Sequence, residues 1–486
     1  VTATRRPAPS LLPRRDGASV QRRLAVSALA AGRAGTPAWL AGCAERFRMA
    51  VERVPLDGMA QWREDPATGT IGHASGRFFT VEGMEVRAPG LPVESWSQPV
   101  IHQPEVGILG ILAKEFDGVL HLLMQAKAEP GNANGLQLSP TVQATRSNYT
   151  RVHQGRPVPY LDYFRHASRH NVIVDVRQSE QGSWFFRKRN RNMVVETTDD
   201  VEVLDGFRWL TLGQVHALLH VDDTVNMDSR TVLGCLPTAG ADLTALLDVP
   251  GTDPFHSALL RSLDPGAGSL HATTEVLSWI TEVRTMTDMR ARLVPLGQVA
   301  GWRRTAAAVA HGSGRYFEVI GVRVRAEGRE VAHWSQPMIR PVATGVIAFL
   351  VCSIGGVLHV LMRASAQPGF VDVIELAPTV QATPANHAHL PAAARPRFLD
   401  EVLRARPDRV RFDTVLSEEG GRFFHARNRC LIVETRPDAA AESPGFRWLA
   451  LHQLGDLVRH GHYLNVEARS LLACMQSLTP AAGAPR

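Results

Sequence analysis

One eight-residue stretch occurs twice in the chain, and it constrains the fold more than any other feature. Leu138-Ser-Pro-Thr-Val-Gln-Ala-Thr145 returns as Leu376-Ala-Pro-Thr-Val-Gln-Ala-Thr383. Around it a whole unit repeats. Trp39 and Trp279 precede Val54-Pro55-Leu56 and Val294-Pro295-Leu296, which lead to Trp62 and Trp302. Then come His73 to Arg77 and His311 to Arg315, followed by Trp96-Ser-Gln-Pro99 and Trp334-Ser-Gln-Pro337. Arg189-Asn-Arg191 matches Arg427-Asn-Arg429, and Phe207-Arg-Trp-Leu210 matches Phe446-Arg-Trp-Leu449. Two copies of one unit must fold alike, so a repeat settles the architecture before any element is assigned. A chain of 486 residues is also too long for a single core.

The repeats span 39–236 and 279–475. Apolar residues at helical spacing over 38–53 and 276–292 predict an amphipathic helix opening each unit. Alternating stretches at 106–112 and 119–125, with Asp117-Gly118 between them, predict a hairpin. Its second copy turns at Gly355-Gly356. The expected class is α+β: two tandem homologous domains, each a mixed, mostly antiparallel sheet with flanking helices. The expected organisation is a disordered leader over 1–23, domains at 24–236 and 271–478, a linker over 237–270 and a tail over 479–486. The linker's residues 243–247 read as a short helix.

Charged residues at 21% and hydrophobic residues at 44% are those of an ordinary soluble globular protein. The net charge of +6 is scattered, which fits an anionic ligand and excludes a nucleic-acid stripe. No apolar run reaches the roughly 18 residues of a membrane span. Five Cys without CxxC spacing predict reduced thiols and a cytoplasmic location. Dinucleotide, P-loop, nucleophile-elbow and HExxH patterns are missing, so the sequence gives no support for a metal or a cofactor.

The Thr141 to Thr145 and Thr379 to Thr383 stretches are either half-exposed strands or pocket walls offering stiff hydrogen-bonding groups. Their near-identity argues for the wall. Trp62, Trp96, Trp302 and Trp334 are either core residues or flat faces for a ring. Arg77, Arg189, Arg315 and Arg427 are either solvated or clamp a phosphate. The copies diverge after Thr145. Arg146, Tyr149, Arg151 and His153 have no counterpart in the second unit, and only Asn148 survives, as Asn386. Residues common to both units would hold a shared ligand, and unmatched ones would serve a single site. Otherwise this segment is an exposed loop or part of a domain interface.

Together, the Trp-Ser-Gln-Pro, Pro-Thr-Val-Gln-Ala-Thr and Phe-Arg-Trp-Leu pairs and the segment 146–153 resemble the NDP-hexose 2,3-dehydratase family. The resemblance runs from about residue 39 to the end of the second unit. It implies two Nudix-hydrolase-like halves, here without the Nudix metal helix. It also implies a cytoplasmic homodimer serving deoxysugar and antibiotic biosynthesis, with a downstream 3-ketoreductase. The implied reaction is 2,3-dehydration of dTDP-4-keto-6-deoxyglucose, needing no cofactor. Substrate contacts would fall on Trp62, Arg77, Trp96, Gln98, Thr141, Val142, Gln143, Ala144, Thr145, Arg146, Asn148, Arg151, Arg189 and Asn190. In the second unit they would fall on Trp302, Arg315, Trp334, Gln336, Thr379, Val380, Gln381, Ala382, Thr383, Asn386, Arg427 and Asn428. Tyr149 and His153 would be acid and base. A silent nucleotide-sugar binding protein, or a diphosphatase, are the alternatives.

Overall fold

The computed structural model describes residues 17–30, 35–91, 93–145, 157–240, 246–247, 253–327, 331–390, 395–437, 440 and 442–479. Each unit builds a seven-stranded sheet of the same topology. In the first, Asn171–Ser179, Arg189–Glu196, Gly107–Phe116, Val119–Ala128 and Phe207–Thr211 lie side by side. Leu136–Ser139 and Val142–Ala144 complete it on the two central strands. One pair is parallel, Arg189–Glu196 on Gly107–Phe116; the others are antiparallel. Val410–Ser417, Arg427–Glu434, Gly345–Ile354, Val357–Ala366 and Phe446–Ala450 repeat this order. Both hairpin turns form as the sequence predicts. Asp117 and Gly118 have φ of 48° and 79°, and Gly355 and Gly356 have 60° and 81°, the double positive φ of a type I′ turn.

The repeated Pro-Thr stretch marks a fork in this sheet. Strand Gly107–Phe116 pairs with Val119–Ala128 over Leu112–Phe116 and with Val142–Ala144 over Ile108–Gly110. Where it changes partner, the Thr141 hydroxyl bridges the gap. It accepts from the Leu112 amide at 2.8 Å and donates to the Leu123 carbonyl. Thr379 does the same between Leu350 and Leu361, at 2.9 and 2.5 Å. Each hydroxyl replaces a ladder bond that the diverging backbones cannot make.

The two smaller sheets exchange strands. Met49–Val54 of the first unit pairs with Phe317–Ala326 of the second, and Arg290–Val294 pairs in return with Thr80–Arg87. The opening helices are therefore shorter than the periodicity suggests. They are Thr36–Arg46 and Thr273–Met286, and the residues that follow are strands. Alternation over so short a span is readily absorbed into a helical pattern. At the pseudo-twofold axis, helices Met227–Leu233 and Val466–Gln476 pack together. Their buried Arg230 and Arg469 each reach across it. Arg230 bonds Ser470 Oγ and the Ser417 carbonyl at 2.5 and 2.7 Å, and Arg469 bonds Thr231 Oγ1 and the Ser179 carbonyl at 2.7 and 2.6 Å. Gly131 and Gly369 let the backbones meet: each amide donates across the units, to Gly420 and Gly182, at 2.7 and 2.8 Å.

Two predicted boundaries need correction. The stretch assigned to a leader contains the start of helix Gly17–Leu29, whose Val20, Leu24, Ala25 and Ala28 are buried. Arg23 pairs with Glu115 and Glu196. The linker contains helix Pro254–Leu263, the counterpart of that helix. Ser27 and Ser262 make matching bonds, to the carbonyls of Leu120 and Leu358 and from the amides of Leu212 and Leu451. The repeat thus begins earlier than its matched tryptophans, Trp39 and Trp279. Of the short helix expected at 243–247, only 246 and 247 fall within the described residues, and both are helical. No described helix is long and apolar enough to cross a membrane.

Candidate functional site

Strand exchange places one cavity on each side of the axis, and each cavity is walled by both units. The first, about 810 Å³, takes Trp62, Phe79, Lys127, Glu129, Gln143 and Glu180 from the first unit, and Trp334, Ser335, Gln336, Glu419 and Arg422 from the second. The other, about 590 Å³, is assembled the opposite way, with Trp302, Gln381, Glu418 and Asn428 meeting Trp96, Gln98, Gln181 and Trp184. Both volumes suit a ligand of nucleotide-sugar size.

The repeated tryptophans do reach the cavities, with their N–H groups already engaged. Trp62 Nε1 donates to the Ser335 carbonyl at 2.6 Å and Trp302 Nε1 to the Ser97 carbonyl at 3.0 Å. In the Trp-Ser-Gln-Pro segments, Trp96 donates to Gln98 and Trp334 to Gln336, at 3.0 and 2.9 Å. The glutamine amides continue to the Ser183 and Gly421 carbonyls, each at 2.6 Å. Each such segment faces the other unit's cavity. Chain order alone could not show that crossing, because it depends on the exchanged strands.

Gln143, Ala144 and Thr145 line the first cavity; Gln381, Ala382, Thr383 and Asn386 line the second. Thr141, Val142, Thr379 and Val380 do not: all four are buried at the fork. The expected ligand contacts there are corrected to structural ones, since the two threonine hydroxyls close the fork and the two valines pack in the core. The arginine clamps fare similarly. Arg191 and Arg429 form bidentate pairs with Asp175 and Asp413, and Arg427 pairs with Asp223 at 3.3 Å. Arg77 is exposed, and Arg189 and Arg315 are half-buried off the cavity walls. The middle residues, Asn190 and Asn428, are the ones that line the cavities. Asn190 donates to Glu180 at 2.7 Å and accepts from the Gly107 amide at 3.0 Å. A Cβ on Gly107 would stand 2.8 Å from that Asn190 oxygen, so the approach requires glycine. Arg146, Asn148, Tyr149, Arg151 and His153 lie outside the described residues.

The two cavities differ in charge. The first carries Lys127, Glu129, Glu180, Lys188, Asp228, Glu419 and Arg422. By position in the repeat, Lys127, Glu129, Lys188, Glu419 and Arg422 correspond to Ser365, Gln367, Ala426, Gln181 and Trp184, of which Gln181 and Trp184 line the second. Glu180, Asp228, Gln143 and Asn190 keep their character, as Glu418, Glu467, Gln381 and Asn428. Sequence reasoning named Gln143, Asn190, Gln381 and Asn428 but missed the ionisable groups. The signal was there, in paired positions where one copy is ionisable and the other is not, but it lies scattered over several strands.

Crowding perturbs the ionisable set. Burial pushes the Glu419 carboxyl up to about 7, helped by Glu129 and Glu180 and opposed by Arg422. Burial lowers Lys188 to about 8 against the pull of Glu180, and its ammonium donates to the Glu105 carbonyl. Asp228 is raised well above the carboxylate range by burial and then by Glu419, Glu180 and Glu129. Burial also raises Glu180, opposed by Arg469, Asn190 and Lys188. His73, by contrast, is tied between Ser75 at 2.7 Å and Gln61 at 3.1 Å, and burial lowers its pKa. A cavity holding carboxyl and ammonium groups that titrate near neutrality can move protons at carbon and oxygen.

A family profile described as NDP-hexose 2,3-dehydratase matches the chain twice, at residues 33–236 and 273–475. A Saccharopolyspora spinosa protein named dTDP-4-dehydro-6-deoxy-alpha-D-glucopyranose 2,3-dehydratase is 51% identical over 472 residues, 95% of this chain and 96% of its own length. Proteins of the same name from Amycolatopsis orientalis and Streptomyces violaceoruber are 50% and 48% identical. They cover 92% and 93% of this chain and 90% and 99% of their own lengths.

Proposed function

This chain belongs to the NDP-hexose 2,3-dehydratase family, and from that premise we infer that it dehydrates dTDP-4-keto-6-deoxyglucose across C2 and C3. The enzyme is a hydro-lyase. The C3 proton is acidic because the neighbouring C4 ketone accepts the electron pair as C3–H breaks. Loss of the C2 hydroxyl as water then leaves an enol, which becomes the 3,4-diketo-2,6-dideoxy sugar. Oxidation states balance within the sugar, so no electrons enter or leave.

We assign this reaction to the first cavity, and one observation carries the assignment: Lys127, Glu129, Lys188, Glu419 and Arg422 have neutral residues at the matching positions of the other repeat, where only the carboxyl groups of Glu180 and Asp228 are kept, as Glu418 and Glu467. Trp62, Phe79 and Trp334 offer an aromatic wall for the thymine. Lys127, Lys188 and Arg422 offer cations for the diphosphate and for the enolate oxygen as it forms. Tyr149 and His153, expected as acid and base, lie outside the described residues; Thr145, the last described residue before them, lines this cavity. We further propose a cytoplasmic homodimer that passes its product to a 3-ketoreductase.

The test is a mass spectrum of dTDP-4-keto-6-deoxyglucose after incubation. Wild type should remove one water, and Lys127→Ala should slow this by roughly 10²-fold. Gln381→Ala, in the second cavity, should leave turnover unchanged. Equal loss from both substitutions would refute the assignment to the first cavity, and an unchanged substrate mass with wild type would refute the reaction.

A further inference from the structure

Beneath both cavities the repeat places a pair of side chains drawn from opposite units. In the second cavity the pair is Glu418 and Gln181, and the Gln181 amide donates to Glu418 Oε2 at 2.6 Å. In the first cavity the same two positions hold Glu180 and Glu419. The sequence difference is one residue, Ser179-Glu-Gln-Gly182 against Ser417-Glu-Glu-Gly420. An amide–carboxylate hydrogen bond thereby becomes two carboxyl groups facing one cavity.

Neither carboxyl group is satisfied by the protein. Glu180 Oε1 accepts from Asn190 at 2.7 Å, and Glu419 Oε1 accepts from the Gly421 amide at 2.9 Å. Glu180 Oε2 and Glu419 Oε2 are buried without a hydrogen-bond partner. Buried orphan oxygens are costly, so their persistence here points to a ligand that brings hydroxyl donors or transferable protons. Two carboxyl groups buried at one cavity cannot both ionise easily, so the pair divides into one acid and one base. Burial raises the Glu180 carboxyl, and Arg469, Asn190 and Lys188 oppose it by supporting the charged form.

We propose that Glu180 and Glu419 are the acid–base couple of the dehydration, an inference that rests on assigning the reaction to the first cavity. The Glu180 carboxylate takes the C3 proton, and the C3–H electron pair moves onto the C4 oxygen. As that pair returns, C2=C3 forms and the C2–O bond breaks, with the Glu419 carboxylic acid supplying the proton that completes water. The enol then collapses to the ketone. Protonated Glu180 returns its proton to C2, and the Glu419 carboxylate takes the proton of the C3 hydroxyl. Both groups end as they began, and the net change is one water lost.

Deuterium exchange separates the two roles. dTDP-4-keto-6-deoxyglucose is incubated in D₂O with each variant; recovered sugar is read by NMR at C3, and water loss by mass spectrometry. With Glu180→Gln, both C3 deuteration above the enzyme-free blank and water loss should disappear, a fall of roughly 10²-fold or more. With Glu419→Gln, water loss should fall comparably while recovered substrate still gains deuterium at C3. Glutamine is tolerated at this position in the second cavity, as Gln181, and titration with dTDP checks that each variant still binds. Wild-type water loss in either variant overturns the proposal, as does C3 exchange persisting in Glu180→Gln. Loss of dTDP binding in both variants would make the pair structural and would also overturn it. If wild type itself removes no water, the functional reading fails rather than the pair.

Discussion

Replacing Thr141 with Val tests whether the repeated Pro-Thr stretch holds the sheet or the ligand. Valine keeps the branched shape and puts a methyl where the hydroxyl stood, so no cavity opens and the change falls on the lost hydrogen bonds. That hydroxyl accepts from the Leu112 amide at 2.8 Å and donates to the Leu123 carbonyl, in a site only 2% exposed. Both main-chain groups lose their bridge. A buried polar group left without a partner costs about 1–3 kcal/mol, and relaxation of the two strands recovers part of it, so the fork weakens by about 2–4 kcal/mol. Thr379→Val should cost the same, because its bonds to Leu350 and Leu361 repeat the geometry. The assay is thermal or urea unfolding of each variant beside titration with dTDP. The midpoint should fall in both, while affinity at a temperature where each is folded should match wild type. A weakened dTDP affinity with an unchanged midpoint would refute the structural role and restore these threonines to the ligand.

Leu24 is 2% exposed in the first helix, so Leu24→Ala should destabilise the fold by about 2–4 kcal/mol in urea unfolding, whereas a leader would leave the midpoint unmoved. Burial, and then Glu418, raises the Glu467 carboxyl to about 8 from an ordinary 4.5, so the folded chain holds the extra proton. Stability from this group is present below its unfolded pKa and is lost as pH rises through about 8. Glu467→Gln should therefore raise the melting midpoint at about pH 8.5 and leave it unchanged near pH 4, as read by melting curves across pH.

The repeat was legible in the sequence because two copies align without reference to structure, and the hairpins at Asp117-Gly118 and Gly355-Gly356 followed from turn chemistry. The partner of each strand was not. Met49–Val54 and Arg290–Val294 carry no mark saying that they complete the other unit's sheet. Trp96 and Trp334 therefore looked like contacts for their own units, and each lines the other's cavity. The first helix was hidden by the basic residues that flank its apolar face. The Thr141 and Thr379 hydroxyls were legible as polar groups, but their use in closing a fork depends on which strands diverge.

Comparing the copies remains the way to find the reactive groups, provided that they are compared in space. Residues shared between the units turn out to be of two kinds. Thr141, Arg230 and Gly131 maintain a scaffold that both halves must build, and Gln143, Glu180 and Asn190 line what it encloses. The unmatched residues likewise divide between units. Lys127, Glu129 and Lys188 enter the first cavity from the first unit, while Glu419 and Arg422 enter it from the second. A substitution in the second repeat can thus alter the first cavity, and Gln181 and Trp184 of the first repeat likewise line the second. Strand exchange lets two copies of one unit specialise two cavities in opposite directions, because every cavity receives wall residues from both copies. Neither half alone walls either cavity, so the residues facing one cavity are spread over both repeats, where no single-copy motif gathers them.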